Sequence, residues 1–217
     1  MSLFISFEGG EGSGKTTQAR LLQKRLSKLV KPVVLLREPG STRLGNYLRR
    51  RLKGDGTTSP GAELFLFAAA RAELVAETIQ PLLNTSTVII IDRFADSTLA
   101  YQGYGRGLRL DYLRVVNELA TQGISPNLTI LLDISPEEGL RRTVRRPGEE
   151  SQRRFEQESL EFHRRVRKGY LELASQEPHR WFVVDGTLPK EKISDLIWQR
   201  VSLLLVPEGS RKKRKPA

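Results

Sequence analysis

The sequence lacks cysteine altogether, which excludes disulfides, thiolate metal ligands and a cysteine nucleophile. It also lacks any apolar run near the roughly 20 residues that a helix needs to cross a bilayer. No basic stretch leads into a hydrophobic segment near Met1, so no secretory signal is read. There is no internal repeat. Together these absences predict a cytoplasmic protein. What is present is ordinary for a soluble globular chain: 217 residues, 38% hydrophobic and 28% charged. That length can bury a sizeable core and suits one domain with a small inserted lid.

Charge is placed unevenly. The net charge of +11 invites a nucleic-acid reading. Residues 211–215 (RKKRK) hold +5 of it, and residues 141–168 hold another +5 from ten Arg/Lys against five Glu. Only +1 is left for the rest of the chain. An excess confined to one tail and one segment argues against a nucleic-acid-binding face spread over the fold. Pro207, Gly209 and Pro216 mark 207–217 as a disordered basic tail behind a domain spanning 1–206.

The chain is organised around Leu3 to Thr17, LFISFEGGEGSGKTT. Leu3–Phe7 is a short apolar run of a buried strand. It breaks into Gly9-Gly10-Glu11-Gly12-Ser13-Gly14-Lys15-Thr16, which fits the phosphate-binding pattern G-x-x-x-x-G-K-[ST]. From Thr16 the spacing of Ala19, Leu22, Leu26 and Leu29 predicts a helix with one buried face. Glycines let successive N–H groups face one concavity, and the helix N-terminus adds its dipole. Lys15 can then reach β- and γ-phosphates, and the Thr16 hydroxyl can hold Mg²⁺. The site so predicted runs from Gly9 to Thr17. A Gly-rich turn without a ligand does not explain eight fitting positions with both flanks in agreement.

Further strands are read at Val33–Leu36, Thr87–Ile91, Leu128–Asp133 and Trp181–Asp185. Helices are read over 44–52, 62–83, 111–122, 155–175 and 193–205, the first capped by Ser41 or Thr42. Alternating strands and helices predict an α/β fold, a three-layer doubly wound parallel sheet of five strands with helices on both faces. Near-continuous apolar strands agree with a sheet covered on both sides. Ligands in such sheets bind beyond the carboxyl ends of the strands, where the glycine loop, Glu38, Asp92, Arg93 and Asp133 fall.

Asp92 ends a β-branched run, the position from which an acid holds Mg²⁺ in phosphate-loop proteins. A strand-end acid capping the next turn is the plainer alternative. Arg93 is expected on phosphate oxygens, which a planar fork suits better than a point charge. Glu38 has three readings: partner of an active-site arginine, contact of a metal-bound water, or solvated loop acid. Arg145, Arg146, Arg153 and Arg154 flank Pro147-Gly148, a break between two helices. Residues 141–155 are therefore read as a lid whose arginines stabilise a transferring phosphoryl group and exclude water. The alternative is a solvated face of Arg–Glu pairs, and spacing does not choose among the arginines. Phe67 and Arg71 stand one helical turn apart and could grip one base, although Phe67 could equally be core. The stretch Ser97–Gly103 adds Tyr101 and Gln102.

FEGGEGSGKTTQ (7–18), REPGST (37–42), LFLFAAAR (64–71), DRFADSTLAYQG (92–103) and RRFEQES (153–159) together resemble the thymidylate kinase family, in the nucleoside-monophosphate kinase group of P-loop proteins. The likeness runs from Leu3 to Leu188 in consistent order and spacing. It implies transfer of the ATP γ-phosphoryl group to dTMP with Mg²⁺, giving dTDP for dTTP synthesis. It implies that Lys15 and the loop amides hold ATP, with Thr16 and Asp92 at the metal. Glu11 would meet the 3′-hydroxyl of dTMP, Phe67 would stack on thymine, and Arg71 would bond its carbonyl edge. Arg49 and Arg93 would hold the dTMP phosphate, and Gln102 would meet the base or sugar. Tyr101 below the sugar would favour deoxyribose, and Glu38 and Ser97 complete the implied substrate set. The loop carries Glu11 and no arginine, so the implied type takes its arginine from the lid, at Arg145 or Arg146. A homodimer packed through helices is implied as well.

Three departures from the family pattern stand out. Ala70 replaces a polar residue before the helix arginine, Arg153 replaces an Asp before Arg-Φ-Glu, and the segment at Pro147–Glu150 is slightly long. Two rivals stay open. One is a different nucleoside or monophosphate kinase on the same scaffold, which Arg49 together with AYQG disfavours. The other is a nucleotide-gated or nucleic-acid-binding module that uses the basic tail.

Overall fold

The computed structural model describes residues 2–29, 32–54, 58–144 and 154–205. The basic tail, Arg145, Arg146, Arg153 and Pro147-Gly148 lie outside these, and so does most of the expected lid. The central strand, β1 (Leu3–Glu8), is buried along its whole length. It pairs in parallel with β3 (Val88–Asp92) on one side and β4 (Leu128–Asp133) on the other. β2 (Val33–Arg37) lies outside β3 and β5 (Trp181–Asp185) outside β4, giving the order β2-β3-β1-β4-β5. The five strands read from the sequence are these five. Phe7 stands opposite Asp92 and Glu8 opposite Leu131, so the carboxyl ends finish level beside the glycine loop.

The strand pleat sorts the residues of β1 between two layers. Leu3, Ile5 and Phe7 join Ala19, Leu22 and Leu26 of α1 (Lys15–Leu26) and Ile193, Ile197 and Val201 of α9 (Lys190–Leu205). Phe4 points the other way, into a cluster with Ile89, Ile91, Leu74, Ile79 and Phe94. Ser6 shares that second face and bonds the Thr129 hydroxyl at 2.9 Å. Thr129 also accepts from Arg180, which is paired with the buried Asp96. The polar groups under the sheet are thus satisfied by one another.

α2 (Arg43–Lys53) is capped by Thr42, whose hydroxyl accepts from the Gly45 N–H at 2.9 Å. The helix expected over 62–83 is interrupted: α3 (Pro60–Leu74) widens into a π turn at Val75–Ile79 before α4 (Gln80–Leu83). After β3, the short α5 (Ala95–Thr98) opens into a second π segment, Leu99–Gly105, which the sequence reading did not identify as an element. Nearly every residue there is buried, so no stripe of helical period marks it. α6 (Leu110–Thr121) and α7 (Pro136–Val144) follow. α8 (Leu160–Gln176) starts later than residue 155 because Ser159 caps it, its hydroxyl accepting from the Phe162 N–H at 3.2 Å.

α7 approaches the glycine loop so closely that no side chain fits between them. A Cβ on Gly139 would lie 2.3 Å from Glu11 O, and one on Gly12, which holds φ +68°, would lie 2.0 Å from Gly139 O. Gly139→Ala should lower Tm by several degrees, because backbone must move, and this outweighs a helix-propensity gain of about 1 kcal/mol. Thermal melts of parent and variant check it. An equal or higher Tm would mean that α7 yields without cost.

Candidate active site

The loop leaves β1 and turns back into α1, whose first residue is Lys15. The buried Lys15 ammonium donates to Gly9 O at 2.9 Å, Gly10 O at 2.7 Å and Ser13 Oγ at 3.2 Å. Burial, with the Arg93 charge beside it, pulls its pKa down to about 8. The neighbouring Thr16 hydroxyl donates to Asp92 at the end of β3. No group of three or more His, Cys, Asp and Glu placed to hold a metal ion occurs among the described residues. One hydroxyl and one carboxylate fit a hard cation that takes the rest of its shell from water and phosphate, as Mg²⁺ does.

Arg93 leaves β3 in the left-handed region, φ +73°, which costs a non-glycine residue about 1–2 kcal/mol. Two bonds hold the turn: Arg93 N–H to Phe7 O at 3.0 Å and Phe94 N–H to Glu8 Oε1 at 2.7 Å. The turn aims the guanidinium across the loop. Nη1 donates to Gly9 O at 3.1 Å and Tyr170 OH at 3.2 Å. Nη2 donates to Glu11 Oε1 at 2.8 Å and Tyr101 OH at 2.9 Å.

Arg71 is 1% exposed. Its Nε donates to Glu38 Oε2 at 2.8 Å, Nη1 to Thr98 Oγ1 at 2.9 Å and Asn117 Oδ1 at 2.7 Å, and Nη2 to Phe94 O at 3.2 Å. A guanidinium has five N–H groups, so one on Nη2 is left over. Of the three readings of Glu38, the structure realises the arginine partner. Burial raises the Glu38 carboxyl above the ordinary carboxylate range despite Arg71, and its Oε1 is buried with no hydrogen-bond partner.

Glu11, Lys15, Thr16, Glu38, Arg49, Phe67, Arg71, Asp92, Arg93, Ser97, Tyr101 and Gln102 all line one cleft of about 390 Å³. Gly12, Ser13, Gly14 and Thr17 line it too, while Gly9 and Gly10 present their carbonyls to Lys15. Phe155 adds an aromatic wall, 6.0 Å from the Phe67 ring and 5.7 Å from that of Tyr101. Phe67 is therefore both half-buried core and cleft wall. Arg49 Nη1 reaches Pro39 O at 3.2 Å. The Gln102 amide donates to Glu63, a fully buried carboxylate that also accepts from Arg106 and Arg154. Ala70 faces away from the cleft, into Leu48 and Leu52, so this departure leaves the lining unchanged. Arg141 and Arg142 pair with Glu138 at helical spacing, which is the Arg–Glu alternative for those two, whereas Arg154 pairs with the buried Glu63 91 residues away. Asp133 is held by both Nε and Nη2 of Arg167 and does not line the cleft.

Thr98, Asn117, Phe155, Tyr170 and Glu8 were not singled out from the sequence. An acid closing the largely apolar LFISFE is a signal that could have found Glu8. Its Oε2 accepts from Ser97 Oγ at 2.6 Å and Tyr170 OH at 2.8 Å, and those hydroxyls stand 2.9 Å apart. Burial, with the Asp96 charge beside it, pushes the Glu8 pKa up to about 7. The folded chain then keeps a proton that the unfolded chain releases above pH 4.5, so stability falls as pH rises from there to about 7. Glu8→Gln removes this dependence. The Tm of the variant relative to the parent should rise between pH 5 and pH 8, whereas a constant difference would show Glu8 ionised in the fold.

The thymidylate kinase family model matches residues 7–197. A thymidylate kinase of Thermomicrobium roseum is 48% identical over 202 residues, covering 93% of this chain and 95% of that protein. One from Synechococcus sp. is 49% identical over 199 residues, covering 92% and 95%. The crystal structure of thymidylate kinase from Ehrlichia chaffeensis aligns with a TM-score of 0.75 at 34% identity, covering 92% of this chain and 98% of that one. With a phosphate loop on the central strand of a parallel sheet and a match along nearly its whole length, the chain belongs to the thymidylate kinase family.

Proposed function

We propose that the protein transfers the γ-phosphoryl group of ATP to dTMP, giving dTDP for dTTP synthesis. The observation that carries this reading is the single cleft joining the phosphate loop to Arg93, Arg71 and Phe67 in a chain of this family. The loop amides of Gly9–Thr17 and the Lys15 ammonium hold the ATP phosphates, Lys15 exchanging the Gly9 and Gly10 carbonyls for phosphate oxygens. Arg49 and Arg93 hold the phosphate of dTMP, and Glu11, shared with Arg93, takes the 3′-hydroxyl. Phe67 stacks on thymine with Phe155 beside it, and the remaining N–H of Arg71 meets the carbonyl edge. Ser97 and Tyr101 floor the sugar, Gln102 borders the base or sugar, and Glu38 keeps Arg71 in place. Lys15 and Arg93 are fixed cations in a buried setting, where charge developing on the transferring group is stabilised most.

Thr16 and Asp92 would hold Mg²⁺. The ion neutralises phosphate charge when bound. Because the loop has no arginine, Arg145 or Arg146 is the lid donor that closes over the transferring group. Residues 1–206 form one P-loop kinase domain, and the tail at 207–217 is dispensable for turnover. No described helix is long and apolar enough to cross a membrane, and a cytoplasmic location fits a nucleotide substrate. A homodimer is supported by α3 and α6, which pack together and expose Phe65, Tyr112, Val115 and Leu119.

A coupled ADP-release assay with ATP, Mg²⁺ and each monophosphate in turn tests the reaction. dTMP should be strongly preferred, and activity only with another acceptor would discard the thymidylate assignment. Lys15→Ala should cut kcat by roughly 10²-fold or more, as expected for loss of charge stabilisation. Phe67→Ala should raise KM for dTMP and leave KM for ATP unchanged; equal rises in both would return Phe67 to a purely core role. Leu119→Glu should turn a dimer into a monomer by light scattering, and an unaltered mass would place the interface elsewhere.

A further inference from the structure

We propose that Glu8 is a positioning residue for phosphoryl transfer, setting the aim of Arg93 without touching either substrate. The proposal rests on the reading above that Arg93 holds the acceptor phosphate. Glu8 is fully buried and does not line the cleft. Its two oxygens nevertheless control Arg93 from both ends. Oε1 accepts the Phe94 N–H and so pins the residue that follows the left-handed turn. Without that acceptor the buried N–H loses its partner, and the strained turn is free to relax and swing the guanidinium. Oε2 anchors the Ser97 and Tyr170 hydroxyls. These are the two hydroxyls beside Nη1 of Arg93, at 3.4 Å and 3.2 Å. One carboxyl group thus fixes the backbone that launches the side chain and the groups against which its tip rests.

The charged groups around Glu8 come from three directions: Arg93 from the β3 turn, Lys15 from α1 and Asp96 from α5. Asp96 is held in turn by Arg180. An apolar residue at position 8 would fill the space but would strand the Phe94 N–H. Filling the core does not account for an acid there.

The test is a double-mutant cycle on dTMP affinity, measured by calorimetry so that no turnover is needed. Glu8→Ala should weaken dTMP binding about tenfold in the parent and less than twofold in the Arg93→Ala background. In kinetic assays of the parent background it should raise KM for dTMP with KM for ATP unchanged, and Glu8→Gln, which keeps an acceptor for Phe94, should recover most of the loss. If Glu8→Ala does not fold, Tyr170→Phe removes one of the two hydroxyls on Glu8 Oε2 and enters the same cycle. An equal loss in both backgrounds, or an equal rise in KM for both substrates, would overturn the proposal and leave Glu8 a purely structural group. A parent protein with no dTMP turnover would overturn the reaction and the proposal together, whereas an active parent with an additive cycle overturns the proposal alone.

Discussion

Parallel pairing of β1 with both β3 and β4 is the constraint on which the rest of the site depends. Backbone bonds fix Phe7 beside Asp92 and Glu8 beside Leu131, so three strand ends finish at one height. The glycine loop then leaves β1 with Asp92 on one side and the Leu132 carbonyl on the other. A Cβ on Gly9 would lie 2.6 Å from that carbonyl, a closeness that only this register creates. A slip by one residue would exchange the two faces of β1, placing Glu8 among Ala19 and Leu22 and removing the acceptor of the Phe94 N–H. The height of the chemistry is set by main-chain pairing before any side chain contributes.

On that platform Lys15, Arg71 and Arg93 each have partners within the protein, but the partnerships differ in kind. Arg71 and Glu38 are 1% and 4% exposed, a pair sealed from water. Breaking such a pair by removing one partner costs about 3–5 kcal/mol, so Arg71 is held as rigid framework that offers a single N–H. Arg93 and Glu11 are 17% and 20% exposed and reach solvent. Their attraction is softened by water, so this pair opens more easily than the buried one. Burial therefore divides the two arginines into one locked in the framework and one held in a water-accessible pair. Lys15 is buried like Arg71 but is braced on neutral loop carbonyls rather than on an acid.

How far the sequence could be read follows from how local each feature is. The strands were legible because short, nearly continuous apolar runs bounded by turn residues mark strands buried on both faces. The loop was legible because its glycines, Lys15 and Thr16 act within one turn. The segment Leu99–Gly105 was not, since burial on all sides erases the polar–apolar alternation that marks a helix. Ala70 looked like a change at the acceptor pocket because it adjoins Arg71 in sequence, yet on a helix neighbours face different ways, and it packs against α2.

By itself the sequence determined the phosphate loop, the five parallel strands and, through its combined motifs, the family. These depend on spacing within short segments, where chemistry and conformation are coupled along the chain. Only the tertiary structure decided which partner each acid serves. Glu38 meets Arg71 across 33 residues, Glu11 meets Arg93 across 82, and Glu8 meets Tyr170 across 162. Such partnerships leave no periodic trace, because they are made by strand order and helix packing rather than by neighbours in the chain.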